Sequence, residues 1–184
     1  MAEACIFFAD GLEEIEGLTV VDLFRRANIS IDIVSINGTY KIEGSHHISI
    51  KADQLFESLD FENTKMFILP GGMPGTKNLY ASDVVRAAVT ELIETDRYVA
   101  AICAAPSIIL GGMGVLQGKR ATCYPGMEDG MTGAQAQPLP CVQDGKIITG
   151  RGAGAAFDFA LTLCAVLVGQ EKADQIADAV CYVR

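Results

Sequence analysis

Tyr98-Val99-Ala100-Ala101-Ile102-Cys103-Ala104-Ala105-Pro106-Ser107 is the stretch that decides how this chain is built. Five apolar residues run into a cysteine, and small residues followed by proline then open what reads as a helix. The thiol therefore falls at a strand-to-helix turn. Such a position lies at the carboxyl edge of a sheet and against the amino end of a helix, whose unpaired N–H groups and dipole favour thiolate over thiol. Free cysteine is also among the most buried residue types, so the turn alone leaves a core thiol and a presented nucleophile both open.

On either side the chain keeps the same rhythm. Strand-like runs at 4–9, 30–36, 66–69 and 98–102 alternate with helical runs at 13–27 and 82–94. Beyond Cys103 come a strand near 120–122, a hairpin centred on Asp144-Gly145, a strand over 146–149, a helix over 153–168 and a helical closing segment over 171–183. Residues 39–50 alternate weakly and read as an edge excursion. Strand and helix in turn predict an α/β fold with a mostly parallel central sheet. No repeat, low-complexity tract or linker divides the chain, so a single domain over 1–184 is expected.

Composition narrows the function. Half of the 184 residues are hydrophobic and 20% are charged, which describes a folded globular chain with no apolar run of membrane-spanning length. A net charge of −9 repels nucleic-acid backbones and anionic membrane surfaces, so neither is an expected partner. The start, MAEACIFFADG, lacks a basic segment, an apolar core and a cleavage site, and a cytoplasmic location is expected. The six cysteines show no C-x-x-C and no Cys/His cluster with zinc spacing, so neither a metal site nor a disulfide framework is predicted.

Four further features bear on chemistry. On a helical wheel of the first helix, Leu12, Val20, Leu23, Phe24 and Ala27 share one arc, and Glu16 falls among them. Glu14, Asp22, Arg25 and Arg26 fall on the opposite, solvated arc, with Glu13 near its edge. A buried Glu16 would keep its proton near neutrality and serve as a general acid or as a donor to a thiolate. Leu69-Pro70-Gly71-Gly72-Met73-Pro74-Gly75 ends an apolar strand in glycines, which let backbone N–H groups approach a ligand. Gly72 and Ala104 are then the candidate oxyanion donors. The Gly-Lys-Ser/Thr of a phosphate loop is missing, because Gly75 is followed by Thr76-Lys77.

Gly150-Arg151-Gly152-Ala153-Gly154-Ala155 imitates a dinucleotide fingerprint, but too little chain follows to complete the fold, and no nucleotide cofactor is expected. His46 and His47 are adjacent, point to opposite faces of a strand, and read as solvated edge residues that cannot easily share a metal. Tyr124, after the strand near 120–122, reads either as a hydroxyl offered to the same sheet edge or, the favoured reading, as a half-buried aromatic with its hydroxyl in water.

Taken in order, GLEEIE (11–16), VDLFRRANI (21–29), LPGGMPG (69–75), AAICAAPSIIL (100–110) and TGRGAGAAFDFAL (149–161) resemble the ThiJ/PfpI superfamily, within it the DJ-one branch, the parkinsonism-associated deglycase family and its bacterial relatives. The resemblance covers nearly the whole chain. It implies a flavodoxin-like three-layer sandwich, a homodimer, and chemistry without a cofactor. Cys103 matches the family's reactive cysteine on its nucleophile elbow, Glu16 the carboxyl that contacts its sulfur, and Gly72 and Ala104 the backbone donors beside it. Tyr124 occupies the place where some members have a histidine, which counts against a Cys-His peptidase or amidase. His46 stands where the best-known member has an arginine near the dimer interface.

The implied activity is that of a glyoxalase or deglycase, acting on glyoxal, methylglyoxal or early glycation adducts and releasing a hydroxy acid. The alternative class is a redox sensor or chaperone in which Cys103 is oxidised to a sulfinate.

Overall fold

The structure, a computed structural model, describes residues 2–59 and 62–183. Its centre is a seven-stranded sheet in the order β10-β11-β7-β6-β1-β2-β5. These strands are β1 (Ala4–Phe8), β2 (Ile31–Ser35), β5 (Gln54–Leu55), β6 (Met66–Leu69), β7 (Tyr98–Ile102), β10 (Cys141–Asp144) and β11 (Ile147–Gly150). All neighbours pair in parallel except β10, which returns antiparallel to β11 through the turn containing Asp144-Gly145. Strands β1, β6 and β11 are buried at every position, which is what apolar runs such as ACIFF and MFIL give when both sheet faces are covered.

Helices cover both faces and make three layers. One hydrophobic cluster joins the sheet to α1 (Glu14–Arg26), α4 (Ala156–Val168) and α5 (Gln170–Ala179). The other joins it to α2 (Gly75–Ala81), α3 (Asp83–Glu94) and the helical turn after Cys103. This is the expected α/β architecture with a mostly parallel central sheet. Two small sheets lie outside it: the hairpin of β3 (Lys41–Glu43) and β4 (Ser49–Lys51), which is the edge excursion, and the pair β8 (Arg120–Ala121) and β9 (Gln135–Ala136).

Three local features differ from expectation. Helix α2 was not anticipated, because GTKNLYA is short and mostly polar and carries no apolar period. The helix after Cys103 is π-helical over Pro106–Gly111, a wide turn often found at functional positions. Glu14 lies buried, with 3% of its surface exposed, although the wheel assigns it to solvent.

The chain runs outward from β1 through β2 to β5, then crosses back to place β6 on the other side of β1. In open parallel sheets the crevice at such a reversal, outside the carboxyl ends of the strands, is where ligands bind. The segments following β1, β6 and β7 all converge there.

Candidate functional site

The β1–α1 loop and the β6–α2 loop are laced together by backbone bonds. Glu13 N–H donates to Gly71 O (2.9 Å) and Gly75 N–H to Gly11 O (3.1 Å). This closeness demands glycine at two places. Gly72 has φ +90°, and a Cβ there would sit 2.1 Å from Glu13 N; a Cβ on Gly71 would meet Glu16 Oε2 at 2.4 Å and Cys103 Cβ at 2.5 Å. Gly71 thus lies wedged between the acid and the thiol. The sequence pattern singled out Gly72 and passed over its neighbour, although the doubled glycine after an apolar strand was the available signal.

Cys103 itself has φ +65°, a left-handed conformation that strains any side-chain-bearing residue by roughly 1–3 kcal/mol. Its backbone is tied on both sides, Cys103 N–H donating to Gly150 O (3.0 Å) and Tyr124 N–H to Cys103 O (2.8 Å). β11 and the segment after β8 hold the turn in that shape, and the thiol is left half-buried.

Glu16, on the first turn of α1, has 1% of its surface exposed. Gly71 N–H donates to its Oε2 (2.9 Å), whereas Oε1 is buried and has no hydrogen-bond partner of ordinary geometry among the described residues. Burial raises the carboxyl to about 7, against the opposing influence of the Cys103 side chain and the Gly71 N–H.

The thiol moves the same way, and here the expectation of a helix-stabilised thiolate is corrected. Burial first, then the adjacent Glu16, push Cys103 up to about 12, while the N–H groups of Gly72 and Ala104 pull it down. The helix end is present. It is outweighed by burial first, and then by a carboxylate that comes from a different part of the chain.

The structure therefore brings Cys103, Glu16, Gly72 and Ala104 into one cluster. Tyr124 is joined to it only through its backbone. Its side chain is 51% exposed, its hydroxyl makes no hydrogen bond among the described residues, and its ring lies beside Gly152, at the wall of a cavity of about 450 Å³.

The histidines lie elsewhere, on the turn between β3 and β4. His46 Nδ1 is 2.9 Å from Glu14 Oε2 and 3.6 Å from Glu13 Oε2, and His47 Nδ1 is 3.1 Å from Glu43 Oε1. His46 is exposed, as the sequence suggested, but it is paired rather than simply solvated. The Glu14 carboxylate also accepts the His46 backbone N–H (2.8 Å) and the Ser45 hydroxyl (3.3 Å). Burial would raise Glu14, but the His46 side chain and surrounding N–H groups outweigh it and hold the carboxyl at about 2. Glu13, Glu14 and His46 bring ligand-type atoms within 4.8 Å of one another, and the ion pair already accounts for that grouping. No helix among the described residues is long and apolar enough to cross a membrane.

Comparison with known proteins agrees with this architecture. The model of the DJ-1/PfpI family matches residues 2–166. The chain is 32% identical over 176 residues to Protein dj-1beta of Drosophila melanogaster, covering 95% of this chain and 94% of that protein. It is 26% identical over 174 residues to a Caenorhabditis elegans protein named glutathione-independent glyoxalase DJR-1.2, covering 94% and 91%. Against the longer Arabidopsis thaliana DJ-1 homologs B and A, the chain spans only 39% and 44% of their length, at 32% and 33% identity over 92% of this chain. Among solved structures, a cysteine-to-alanine mutant of a Salmonella typhimurium DJ-1 superfamily protein superimposes with a TM-score of 0.95 at 29% identity, over the whole of both chains.

Proposed function

We propose, from the premise that this chain belongs to the DJ-1/PfpI family, that it is a cofactor-independent glyoxalase or deglycase whose nucleophile is Cys103 and whose proton carrier is Glu16. The observation that carries this is a buried carboxyl with an unpartnered oxygen set against a cysteine on a left-handed turn.

The two groups act as a pair that holds one proton. With Glu16 ionised, its charge keeps the proton on sulfur. With the proton on Glu16, the repulsion is gone, Oε1 becomes a donor, and the Gly72 and Ala104 N–H groups face the sulfur anion. That thiolate adds to the aldehyde carbon of methylglyoxal and forms a C–S bond, and the same two N–H groups hold the resulting oxyanion. Glu16 then moves a proton from the former aldehyde carbon to the neighbouring carbonyl through an enediol, leaving a thioester beside a new hydroxyl-bearing carbon. Water cleaves the C–S bond and lactate leaves. One carbon is oxidised as its neighbour is reduced, so the sum is methylglyoxal plus water giving lactic acid.

The name of the Caenorhabditis elegans relative supports this assignment. Purified protein incubated with methylglyoxal is expected to release lactate, and both Cys103→Ala and Glu16→Gln to lose that release. Activity that survives the cysteine change would contradict the assignment.

A second reading takes Cys103 as a redox sensor oxidised to a sulfinate, with the Glu16 proton bonded to it. One structural neighbour, at 30% identity and a TM-score of 0.95, is Toxoplasma gondii DJ-1 in an oxidised form. Selective oxidation of Cys103 without any hydroxy-acid release would favour it. A Cys-His peptidase or amidase ranks last, because Tyr124 stands where such members have a histidine and both histidines sit on the turn between β3 and β4, paired with Glu14 and Glu43.

We place the working protein as a homodimer. Ile15 on α1 and Ile48 on the hairpin are 56% and 51% exposed, and they lie next in sequence to Glu14 and close to His46, the two residues that join those elements. Sedimentation analysis tests this, with a monomer at micromolar concentration the contrary outcome.

A further inference from the structure

The segment 119–124 runs beside the central sheet but belongs to a small one. Its strand β8 pairs with β9, and on that side the carbonyls of Lys119 and Ala121 accept the N–H groups of Gln135 and Gln137 (both 2.8 Å). On the other side every second N–H faces the body of the protein, as extended chain requires. Arg120 N–H donates to Asp144 Oδ2 (2.9 Å), Thr122 N–H to Thr149 Oγ1 (2.9 Å) and Tyr124 N–H to the Cys103 carbonyl (2.8 Å). Two of these three acceptors are side chains.

Thr149 is the acceptor nearer the thiol. It lies on β11 with 0% of its surface exposed. Its hydroxyl donates to Val142 O on β10 (3.4 Å), so the proton is spent there and the oxygen is left to receive Thr122 N–H. Thr122 adds no second tie, because its own hydroxyl is buried and has no partner among the described residues. The Thr149 oxygen therefore fixes how far the segment stands from β11 at the point where it approaches Cys103.

The same residue directly precedes Gly150, whose carbonyl accepts the Cys103 N–H (3.0 Å). Both backbone bonds that hold Cys103 at φ +65° thus depend on Thr149: one partner is its chain neighbour, and the other hangs on its hydroxyl. We infer that Thr149 is a positioning residue for the nucleophile, its Oγ1 holding the 122–124 segment where Tyr124 N–H keeps Cys103 left-handed and its sulfur against Glu16. A left-handed cysteine has easier conformations to fall into once that bond slackens. This role rests on Cys103 being the nucleophile, as assigned above, and not on turnover.

Thr149→Val keeps the branched shape and removes the acceptor, whereas Thr149→Ser keeps the acceptor. Iodoacetamide reads the thiol directly, forming a C–S bond to the thiolate and expelling iodide, and peptide mass spectrometry follows Cys103 over a range of pH with exposed Cys181 as the internal reference. In the wild-type background Glu16→Gln is expected to displace the Cys103 profile. In the Thr149→Val background the same change should displace it about half as far or less, with the full displacement kept in Thr149→Ser. Lactate formation in Thr149→Val is expected to lose roughly tenfold to a hundredfold in kcat, with KM within about twofold of wild type.

A full displacement by Glu16→Gln in folded Thr149→Val overturns the inference even where the melting temperature has dropped, since leaving Thr122 N–H unpaired lowers stability by itself. Should Thr149→Val not fold, Thr149→Ala removes the same acceptor with a smaller side chain and is read in the same way. A failed lactate assay with the alkylation result as expected would remove the proposed reaction and leave Thr149 in its role.

Discussion

Glu14 and Glu16 leave the same helix two residues apart, and both are buried, with 3% and 1% of their surface exposed. At Glu14 the carboxylate receives an imidazole, a hydroxyl and backbone N–H groups, and it is held at about 2. At Glu16 it receives one N–H and faces a thiol, and it rises to about 7. Both are hidden from solvent, but Glu16 lies much deeper among protein atoms and also receives fewer donors, so desolvation and donor supply separate the two. One carboxylate fastens a hairpin to a helix, and the other is left short of partners beside a nucleophile, where only a proton completes it.

The widest separation comes from removing the proton carrier. Glu16→Gln is expected to lower lactate formation by roughly 10²–10⁴-fold, a loss that steady-state kinetics would register, with Glu14→Gln far less affected. Stability should move in the opposite sense. Folded Glu16 binds its proton more tightly than unfolded Glu16, so wild-type stability falls as pH rises from the usual carboxylate range to about 7. Above that, Glu16→Gln is expected to be the more stable protein, by up to about 3 kcal/mol in urea unfolding.

Gly71→Ala comes next, since its Cβ would press on Glu16 and Cys103 together. A destabilisation of about 1–3 kcal/mol is expected, accompanied by a loss of lactate formation. Full activity would mean that the close approach of the two groups is not required.

Glu14 reverses the pH dependence. Its contribution is complete above its unfolded pKa and is lost as pH falls towards about 2. Glu14→Gln should therefore destabilise the protein near neutrality by about 1–3 kcal/mol, and the difference from wild type should shrink in acid. The smallest effect belongs to His46, which is exposed and whose pKa is raised by its hydrogen bond to Glu14 and by the charge of Glu13. Its contribution is present below its ordinary titration range and lost as pH rises through the raised value. Added salt should reduce that difference between wild type and His46→Ala in thermal melting.

Much of this was legible in sequence because it is local. Apolar runs ending in turn residues gave the parallel strands, and the approach to Cys103 gave the strand-to-helix turn. Glu16 announced itself as a charge within an apolar arc, a pattern contained in one helix. Glu14 did not, because what buries it is the hairpin turn some thirty residues later, where Gly44 packs so closely that a Cβ would lie within 2.5 Å of three of its side-chain atoms. A helical wheel sees only its own helix. The thiolate expectation failed for a related reason: the helix end beside Cys103 is local, whereas the burial that chiefly raises the thiol and the carboxylate that adds to it, from 87 positions earlier, come from the rest of the fold.

The most direct measurement is the titration of the Glu16 carboxyl in the folded protein, followed by its carbonyl stretch in difference infrared spectra of wild type against Glu16→Gln. A midpoint near 7 that moves when Cys103 is replaced by alanine is the predicted result. An ordinary acidic midpoint, indifferent to the cysteine, would show that the two groups share no proton.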